Sequence, residues 1–489
     1  MADEAPDTSD RRAAEGHRDA FFPAGFLRLT VAALDLFIAA YAGGLFLIAV
    51  TGGVNLGVVS MTGAAKPLLM LVLLVPLRIA MGGRSWLADL TRTTLGHVTL
   101  RWRLVGARVP AAVTDSAFAM LVVLAASVPA GFLANVILEP AMPRGFSLPF
   151  TNARFVEIFA AWDSGWYWDI AAHGYYFRPN GQSSVAFFPL YPMLMRALAA
   201  PFGGGDGATW IAGIIISLTA CALALVAIHQ FTARVFGSRE IARRTVLYVV
   251  VFPWSLFLMR VYAESLFLLM SVLAVSRAWD GRWCRAGLWG ALATLARPNG
   301  ILIGLPLALL ALRDGPGARQ LASRWILLAP IAAAMVGYSA YVYTLSGDPL
   351  GWMSAQAQWG YSLGHPPWQQ LQRVIGAFLE HGPYGYFFIS DMAPFELLQT
   401  VTALIVLALT PAVFRRLGTA MGAYVLVSLL VPLSSNAVEG LGRYASVLFP
   451  VFMLVGTVTS RRGYEAIVIV CLVLRTLLVT FFVTSQPSY

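Results

Sequence analysis

The chain is built mainly of apolar blocks of roughly 10 to 25 residues, separated by short gaps that are rich in arginine. A block of about 20 apolar residues crosses a hydrocarbon core about 30 Å thick. Charged residues make up only 12% of the sequence, about half the share found in soluble domains. The three cysteines lie in or beside different blocks without a CxxC spacing. The pattern predicts an all-α, polytopic membrane protein and excludes secreted disulfide-rich folds and soluble nucleic-acid-binding folds.

The blocks predict about 13 membrane passes. The four blocks between 245 and 312 are short, and we expect them to pair as two up-and-down hairpins. The predicted passes lie near 28–52, 66–82, 112–138, 209–233, 245–258, 263–279, 286–296, 300–312, 325–346, 391–413, 417–434, 444–460 and 464–486.

The arginines assign a side to each gap. With this pairing, 23 of the 34 Lys and Arg residues fall on one side of the membrane and eight on the other. Cytoplasmic loops carry the excess of positive charge. The N-terminus is therefore predicted to be cytoplasmic and the C-terminus outside, with two large outer loops at 139–207 and 347–391. The hairpin tips 260–264 and 297–300 and the turn 435–443 are predicted to meet these loops at the outer face.

Three regions are predicted along the chain. Residues 1–27 are mixed in charge and lack the apolar core of a signal peptide, which favours a disordered cytoplasmic tail. Residues 28–110 form a two-helix membrane extension with a basic cytoplasmic linker, a possible docking site for a partner subunit. Residues 111–489 form the main membrane domain.

The densest set of candidate site residues surrounds Asp163, in the run Ala161–Tyr175. Its tryptophans and tyrosines suit an aromatic belt at the lipid headgroups. Such a belt does not require a carboxylate, and partial desolvation makes a carboxylate a better base. Asp163 is therefore the candidate catalytic residue, with a structural cap or a hydrogen-bonded loop carboxylate as the alternative. Asp169 lies six residues later and is predicted to be structural.

Arginines at the predicted outer face are candidates for holding a phosphate. Arg260 and Glu264 have the spacing of an ion pair on one helical face. Pro298 should end a helix at Arg297, leaving its guanidinium at the boundary for a bidentate phosphate contact or for snorkelling to the interface. Arg443 has the same two interpretations.

No familiar nucleotide or metal motif is present. The sequence lacks a P-loop, a GxGxxG after a strand, an HExxH and a GxSxG. His173 has no second ligand at metal spacing, so no metal or other cofactor is expected. The amides and aromatic rings of 347–391 suit a hydroxyl-rich ligand and an interfacial helix equally.

A series of short motifs lies along residues 111–489. Its members are Trp162–Tyr167, Ile170, Ala171, Gly174, Tyr175, Phe187–Pro192, Arg196, Phe252, Pro253, Tyr262–Phe267, Gly281–Trp283, Leu295–Gly300, Arg443, Tyr444, Phe449 and Pro450. In the order and number of these motifs the chain resembles the PIG-V family, the GPI mannosyltransferase 2-like group of GT-C glycosyltransferases. Ser164 departs from the glycine usual in the eukaryotic pattern.

The resemblance implies a GT-C-type helical bundle that takes mannose from a polyprenyl-phosphate donor outside the cytoplasmic leaflet. Asp163 matches the acidic residue of the first large outer loop, which implies a general base and inversion at the anomeric carbon. Residues 1–110 have no counterpart in the family core. The implied donor-phosphate and substrate-binding residues are Arg297, Arg260, Glu264, Arg443, Trp162, Trp166, Tyr167 and Tyr191.

The setting implied is a bacterial inner membrane, where the acceptor is a lipid-linked, glycan or protein hydroxyl other than GPI. Two alternatives remain open at this point. A lipid or polyol transporter predicts polar groups at mid-membrane and symmetric halves, and a non-catalytic scaffold on the same fold predicts that loss of the Asp163 carboxylate is silent.

Overall fold

The computed structural model describes residues 54–55, 60–61, 109–138, 146, 148–150, 154–362, 364–388, 394–435, 438–458 and 460–485. The backbone divides into two units, Met1–Arg108 and Val109–Tyr489. In the first, strands β1 (Val54–Asn55) and β2 (Ser60–Met61) pair antiparallel. The predicted tail 1–27 and the passes near 28–52 and 66–82 lie outside the described residues.

The described part of the second unit is helical. Its helices are α1 (Ala111–Ile137), α2 (Arg154–Glu157), α3 (Ser164–His173), α4 (Leu190–Ala199), α5 (Asp206–Phe236), α6 (Arg239–Val251), α7 (Glu264–Trp279), α8 (Trp283–Ala296), α9 (Gly304–Ala311), α10 (Ala318–Ser346), α11 (Gly351–Ala357), α12 (Gln369–Phe388), α13 (Pro394–Leu417), α14 (Thr419–Leu433), α15 (Leu441–Ser446), α16 (Phe449–Val455) and α17 (Arg461–Val483). Short 3₁₀ segments cover Ser184–Ala186, Ala200–Phe202, Pro253–Met259 and Pro298–Ile303.

Five of these helices are long and apolar enough to cross a membrane: α1, α5, α10, α13 and α17. A sixth candidate is α6 together with Pro253–Met259, which are bent by 86° at their junction. The predicted all-α architecture of an integral membrane protein is therefore confirmed. The count of 13 passes stays a prediction.

The predicted pass 245–258 is wrong as a continuous helix. Helix α6 ends at Val251, and a 3₁₀ segment begins at Pro253. Proline lacks the N–H that would continue the hydrogen-bond ladder, and it disfavours helical backbone at the preceding residue. Phe252 accordingly has ψ 133°, and the chain turns sharply there.

The predicted pass 444–460 is also broken. Its residues belong to α15 and α16, which have six and seven residues and are separated at Val447–Leu448. At 1.5 Å per residue each helix is only about 10 Å long, well short of a hydrocarbon core. Pro450 at the start of α16 fits the first turn of a new helix, where its missing N–H costs nothing.

The two predicted outer loops contain helices of their own. Segment 139–207 holds α2, α3 and α4, and segment 347–391 holds α11 and α12, the latter kinked at Gly382. The tip at 297–303 is likewise a 3₁₀ segment that leads into α9.

Helix α7 forms the centre of the bundle and packs against α5 and α8. Almost every residue from Glu264 to Ala278 is buried, polar ones included. The burial extends to its first turn, where Glu264 and Ser265 are both fully buried. The start of α7 therefore brings a charged residue, Glu264, into the protein.

Candidate active site

The turn before α3 holds Asp163 in a fixed orientation. Asp163 occupies the N-cap position, yet its side chain makes no capping hydrogen bond. Its backbone N–H donates to Tyr262 Oη at 3.1 Å, and that hydroxyl donates to the carbonyl of Ala161 at 3.2 Å. Trp162 has φ +56°, an uncommon value for a large side chain that marks a strained position. The carboxylate is thus free of the structural cap role.

Arg443 joins two carboxylates. Its Nη1 donates to Asp163 Oδ2 at 2.7 Å, and its Nε and Nη2 lie 2.8 and 2.7 Å from Glu264 Oε1. The Glu264 side chain is fully buried, whereas that of Asp163 retains 16% exposure. The guanidinium also lies over the rings of Phe257 and Tyr262. Asp163, Glu264 and Arg443 therefore form one network, although they come from distant parts of the sequence.

Arg297 completes the charged cluster. Helix α8 ends at Ala296, as predicted from Pro298, and Arg297 adopts extended backbone. Its Nη1 lies 2.9 Å from Glu264 Oε1, and its guanidinium lies 5.2 Å from the centre of the Tyr444 ring. The cluster of Asp163, Glu264, Arg297 and Arg443 carries two negative and two positive formal charges.

A close backbone approach positions Arg443. The residue before it, Gly442, lies against the buried ring of Trp254, which donates from Nε1 to Thr402. The N–H of Gly442 donates to Gln399 Oε1 at 2.6 Å. A Cβ on Gly442 would lie 2.2 Å from the Trp254 ring, so only glycine fits.

We therefore expect Gly442→Ala to destabilise the protein by about 1–3 kcal/mol, because a fixed ring must move to admit the methyl group. Gly463→Ala is the matched control, since its nearest neighbour would lie 3.5 Å away. Thermal unfolding in detergent measures both. Equal midpoints for the two variants would contradict the tight fit at Gly442.

The cluster borders a cavity of about 300 Å³. Its walls come from the segments predicted to meet at one face: the two large loops, the 297 tip and the 435–443 turn. The lining residues are Asp163, Tyr167, Ala186, Phe187, Phe188, Ala296, Arg297, Pro298, Gln356, Trp359, Tyr361, Glu439, Gly440, Arg443 and Tyr444. Charged groups at one end and aromatic rings along the wall suit an anionic ligand with a sugar-like part.

Aromatic side chains from both loops form this wall. Trp166 stacks on Phe187, with ring centroids 5.6 Å apart and planes 12° apart. Trp359 packs edge-on against both rings, at 5.3 and 5.7 Å. Phe187 and Trp359 face the cavity, and Trp166 supports them from behind.

Tyr167 lies inside the cavity wall, and Tyr191 lies behind it. Burial raises the pKa of the Tyr167 phenol well above its usual value, so it stays protonated and can donate a hydrogen bond. Tyr191 donates to the carbonyl of Gly213 at 2.9 Å and packs on Tyr167 at 5.0 Å. Tyr191 therefore positions Tyr167 rather than lining the cavity.

Three other candidate residues lie elsewhere. Arg260 does not pair with Glu264, because α7 begins only at Glu264 and Arg260 itself has extended rather than helical backbone. Its guanidinium is buried between the rings of Phe159 and Phe482. Asp169 pairs with His173 at 2.8 Å, in agreement with a structural role. Trp162 packs against the core.

A second, mainly apolar cavity of about 280 Å³ adjoins the first. The two share the side chains of Pro298, Gln356, Tyr361 and Tyr444 as walls. Met335, Met353, Trp352 and Leu302 contribute to the apolar side. Burial raises the pKa of the Tyr361 phenol in the shared wall, so this group is also a donor at neutral pH.

Across the residues that the structure describes, no group of three or more His, Cys, Asp or Glu side chains has the geometry of a metal site. The positive charge beside Asp163 and Glu264 comes from guanidinium groups. Glu264 Oε1 alone has three arginine nitrogens within 2.9 Å.

The sequence is similar to those of known GPI mannosyltransferases. GPI mannosyltransferase 2 of Yarrowia lipolytica is 27% identical over 190 residues, which cover 39% of this chain and 51% of that protein. GPI alpha-1,6-mannosyltransferase 2 of Mus musculus is 26% identical over 283 residues, covering 50% and 56%. The chain thus spans about half the length of the curated relatives that it matches.

Solved structures also show similarity. One is ArnT from Cupriavidus metallidurans bound to undecaprenyl phosphate, with a TM-score of 0.43, 16% identity, and coverage of 71% of this chain and 62% of ArnT. Another is the oligosaccharyltransferase of Archaeoglobus fulgidus, with a TM-score of 0.37 and 12% identity, covering 75% and 55%.

The part of the chain that matches a family model contains three residues of the charged cluster. The matched family region includes Asp163, Glu264 and Arg297, and Arg443 lies beyond its end. The expected resemblance is confirmed: residues 117–307 match the mannosyltransferase (PIG-V) family.

Proposed function

We propose that this chain is a GT-C-type membrane glycosyltransferase that moves a mannosyl residue from a polyprenyl-phosphate donor to an acceptor hydroxyl, with inversion at the anomeric carbon. The observation that carries the proposal is the contact of Arg443 with both Asp163 and Glu264 at the edge of an open cavity. The similarity of residues 117–307 to the PIG-V mannosyltransferases supports the choice of reaction and sugar.

Asp163 is the proposed general base. Its carboxylate lines the cavity, and the Tyr262 hydroxyl fixes the backbone behind it. As the acceptor oxygen attacks the anomeric carbon, its proton passes to Asp163, and the bond from that carbon to the phosphate oxygen breaks. A carboxylate on the acceptor side of the sugar gives inversion in one displacement.

The charge balance assigns a task to the arginines. During the reaction one negative charge leaves Asp163, which becomes protonated, and one appears on the departing polyprenyl phosphate. Arg443 pairs with Asp163 in the resting protein. Once that carboxylate is neutral, Arg443 can stabilise the phosphate together with Arg297. Glu264 holds both guanidinium groups in place.

The two cavities suggest how the donor is held. The mannosyl group suits the charged cavity, whose aromatic wall includes Phe187 and Trp359. The adjoining apolar cavity, with Met335 and Met353, suits the first isoprene units of the lipid. Their shared wall includes Pro298, next to Arg297, and would then face the phosphate between these two parts.

The arginine distribution supports an outward-facing site. Most basic residues fall in gaps predicted to be cytoplasmic, and the cavity is formed by the opposite segments. We therefore infer that transfer takes place on the extracytoplasmic face of a bacterial inner membrane, with the N-terminus in the cytoplasm.

The test is a transfer assay with defined donors. The purified full-length chain receives radiolabelled polyprenyl-phosphate mannose and a lipid extract from a strain lacking the gene. We expect labelled product from this donor and none from GDP-mannose, with the anomeric configuration inverted by NMR. Transfer from GDP-mannose alone, or product with retained configuration, would contradict the proposed reaction.

We also expect transfer to continue in the presence of EDTA. The guanidinium groups of Arg297 and Arg443 already supply positive charge beside the carboxylates, so the leaving phosphate can be stabilised without a metal ion. The assay compares rates before and after chelation. If chelation abolished transfer and added Mg²⁺ or Mn²⁺ restored it, this expectation would be wrong, and a metal ion at the phosphate would be required.

A further inference from the structure

Two buried arginines share one part of the interior, apart from the charged cluster. Arg260 follows the 3₁₀ segment Pro253–Met259, and Arg475 lies in the middle of α17. Their side chains are among the largest that are fully buried, at 1% and 0% exposure. Arg475 Nη2 lies 3.8 Å from the sulfur of Met259, the residue before Arg260, and the ring of Phe482, also on α17, lies 5.5 Å from the Arg260 guanidinium. The two positive charges therefore lie in the same part of the interior.

Within the described ranges, neither arginine has an ion-pair partner. Four of their nitrogens are buried without a hydrogen-bond partner: Nε and Nη2 of Arg260, and Nε and Nη1 of Arg475. By contrast, the fully buried carboxylate of Glu264 is paired with the opposite charge of Arg297 and Arg443. Unpaired buried donors of this kind are rare, because each leaves part of its hydration uncompensated.

The surroundings compensate only part of this cost. The rings of Phe159 and Phe482 flank Arg260, each with its centre 5.5 Å away. Arg475 contacts the thioether of Met259, a weak acceptor. Cation–π contacts are weaker than the desolvation of a buried ion, and mutual repulsion adds to the imbalance.

We propose that Arg260 and Arg475 together bind one small monovalent anion of the halide class. One such ion lowers the local charge from two to one and accepts hydrogen bonds from the orphaned nitrogens. The complete burial of both side chains favours a small ion over a lipid phosphate, which would need an open path for its ester chain.

The ion would stabilise the structure that holds Asp163. Arg260 is two residues before Tyr262, whose hydroxyl fixes the Asp163 turn. Tyr262 packs on Phe257 and on Phe482, the latter being a residue of α17 like Arg475. An anion between Arg260 and Arg475 therefore ties α17 to the segment behind the active site.

The experiment follows thermal unfolding of the full-length protein in detergent, at constant ionic strength in sodium gluconate. Gluconate is replaced stepwise by chloride, by bromide, or by inorganic phosphate. We expect a saturable rise of the unfolding midpoint with chloride and bromide and no such rise with phosphate. Arg475→Met should abolish the halide effect, and Arg462→Met, at an exposed position of the same helix, should retain it.

If Arg475→Met fails to fold, chloride binding to the wild-type protein still tests the proposal. Equilibrium binding of radioactive chloride to the wild-type protein should saturate at one ion per chain. Binding that does not saturate, a midpoint indifferent to halide, or a halide effect that Arg475→Met retains would each overturn the proposal. A rise with phosphate alone would also overturn it, in favour of an oxyanion.

Discussion

Replacing Arg443 with glutamine should lower mannosyl transfer by about 10²–10³-fold, the loss typical of removing one preorganised charge-stabilising donor. It should also lower the free energy of unfolding by about 3–5 kcal/mol, because Glu264 is left buried with less compensating charge. Both effects follow from one side chain that contacts two carboxylates within 2.8 Å.

A second substitution separates the two effects. In Arg443→Gln alone the cluster has a net charge of minus one, and adding Glu264→Gln returns it to zero. We expect the double variant to regain much of the lost stability, since the uncompensated buried charge is gone. Transfer should stay low, because the Arg443 guanidinium that stabilises the departing phosphate is still absent.

The measurements are the transfer rate and the unfolding midpoint of each variant in detergent. Arg285→Gln, at an exposed position of α8, is the control and should change neither. Transfer near the wild-type rate in Arg443→Gln would rule out the role of this arginine at the phosphate. Equal stability of the single and double variants would rule out the charge argument at Glu264.

The sequence was sufficient to predict which segments converge. Apolar blocks and arginine counts brought 139–207, 347–391, the 297 tip and the 435–443 turn to one face, and the cavity is lined by residues from all four. Asp163 and Arg297 were identifiable because a carboxylate among tryptophans and an arginine before proline are unusual. These signals depend on local chemistry and membrane partition, which a single sequence records.

Pairing within the cluster could not be predicted in the same way. The spacing of Arg260 and Glu264 suggested an i, i+4 ion pair, which requires continuous helix between them. The helix instead begins at Glu264, and Arg260 has extended backbone with ψ 171°. Glu264 bonds with Arg443, 179 residues away, and only tertiary structure brings the two together.

The broken passes have a related cause. Segments 245–258 and 444–460 were predicted as membrane passes because they are apolar. Apolar composition does not show where a helix bends. Phe252-Pro253 and Phe449-Pro450 were visible in the sequence as helix-breaking positions. Their effect depends on packing around α15, where Gly442 meets Trp254 and places Arg443. The domain division at 110 and the roles of residues 1–110 stay predictions.

Asp163→Asn should lower the rate of transfer more than Arg443→Gln does. The amide cannot accept the acceptor's proton, and loss of a general base lowers a rate by about 10²–10⁴-fold. Asparagine matches aspartate in size, so the turn held by Tyr262 should persist. Because the substitution removes negative charge beside Arg443, donor binding should be retained, and kcat rather than the KM for the donor should change.

Asp169→Asn is the matched control. The Asp169 carboxylate lies in α3, six residues after Asp163, and pairs with His173 at the surface. The decisive measurement is steady-state transfer from polyprenyl-phosphate mannose by the wild type and the two variants, with donor binding measured in parallel. We expect Asp163→Asn to bind donor and to transfer at no more than about 1% of the wild-type rate, while Asp169→Asn stays near wild type. Transfer by Asp163→Asn at close to the wild-type rate would rule out Asp163 as the general base.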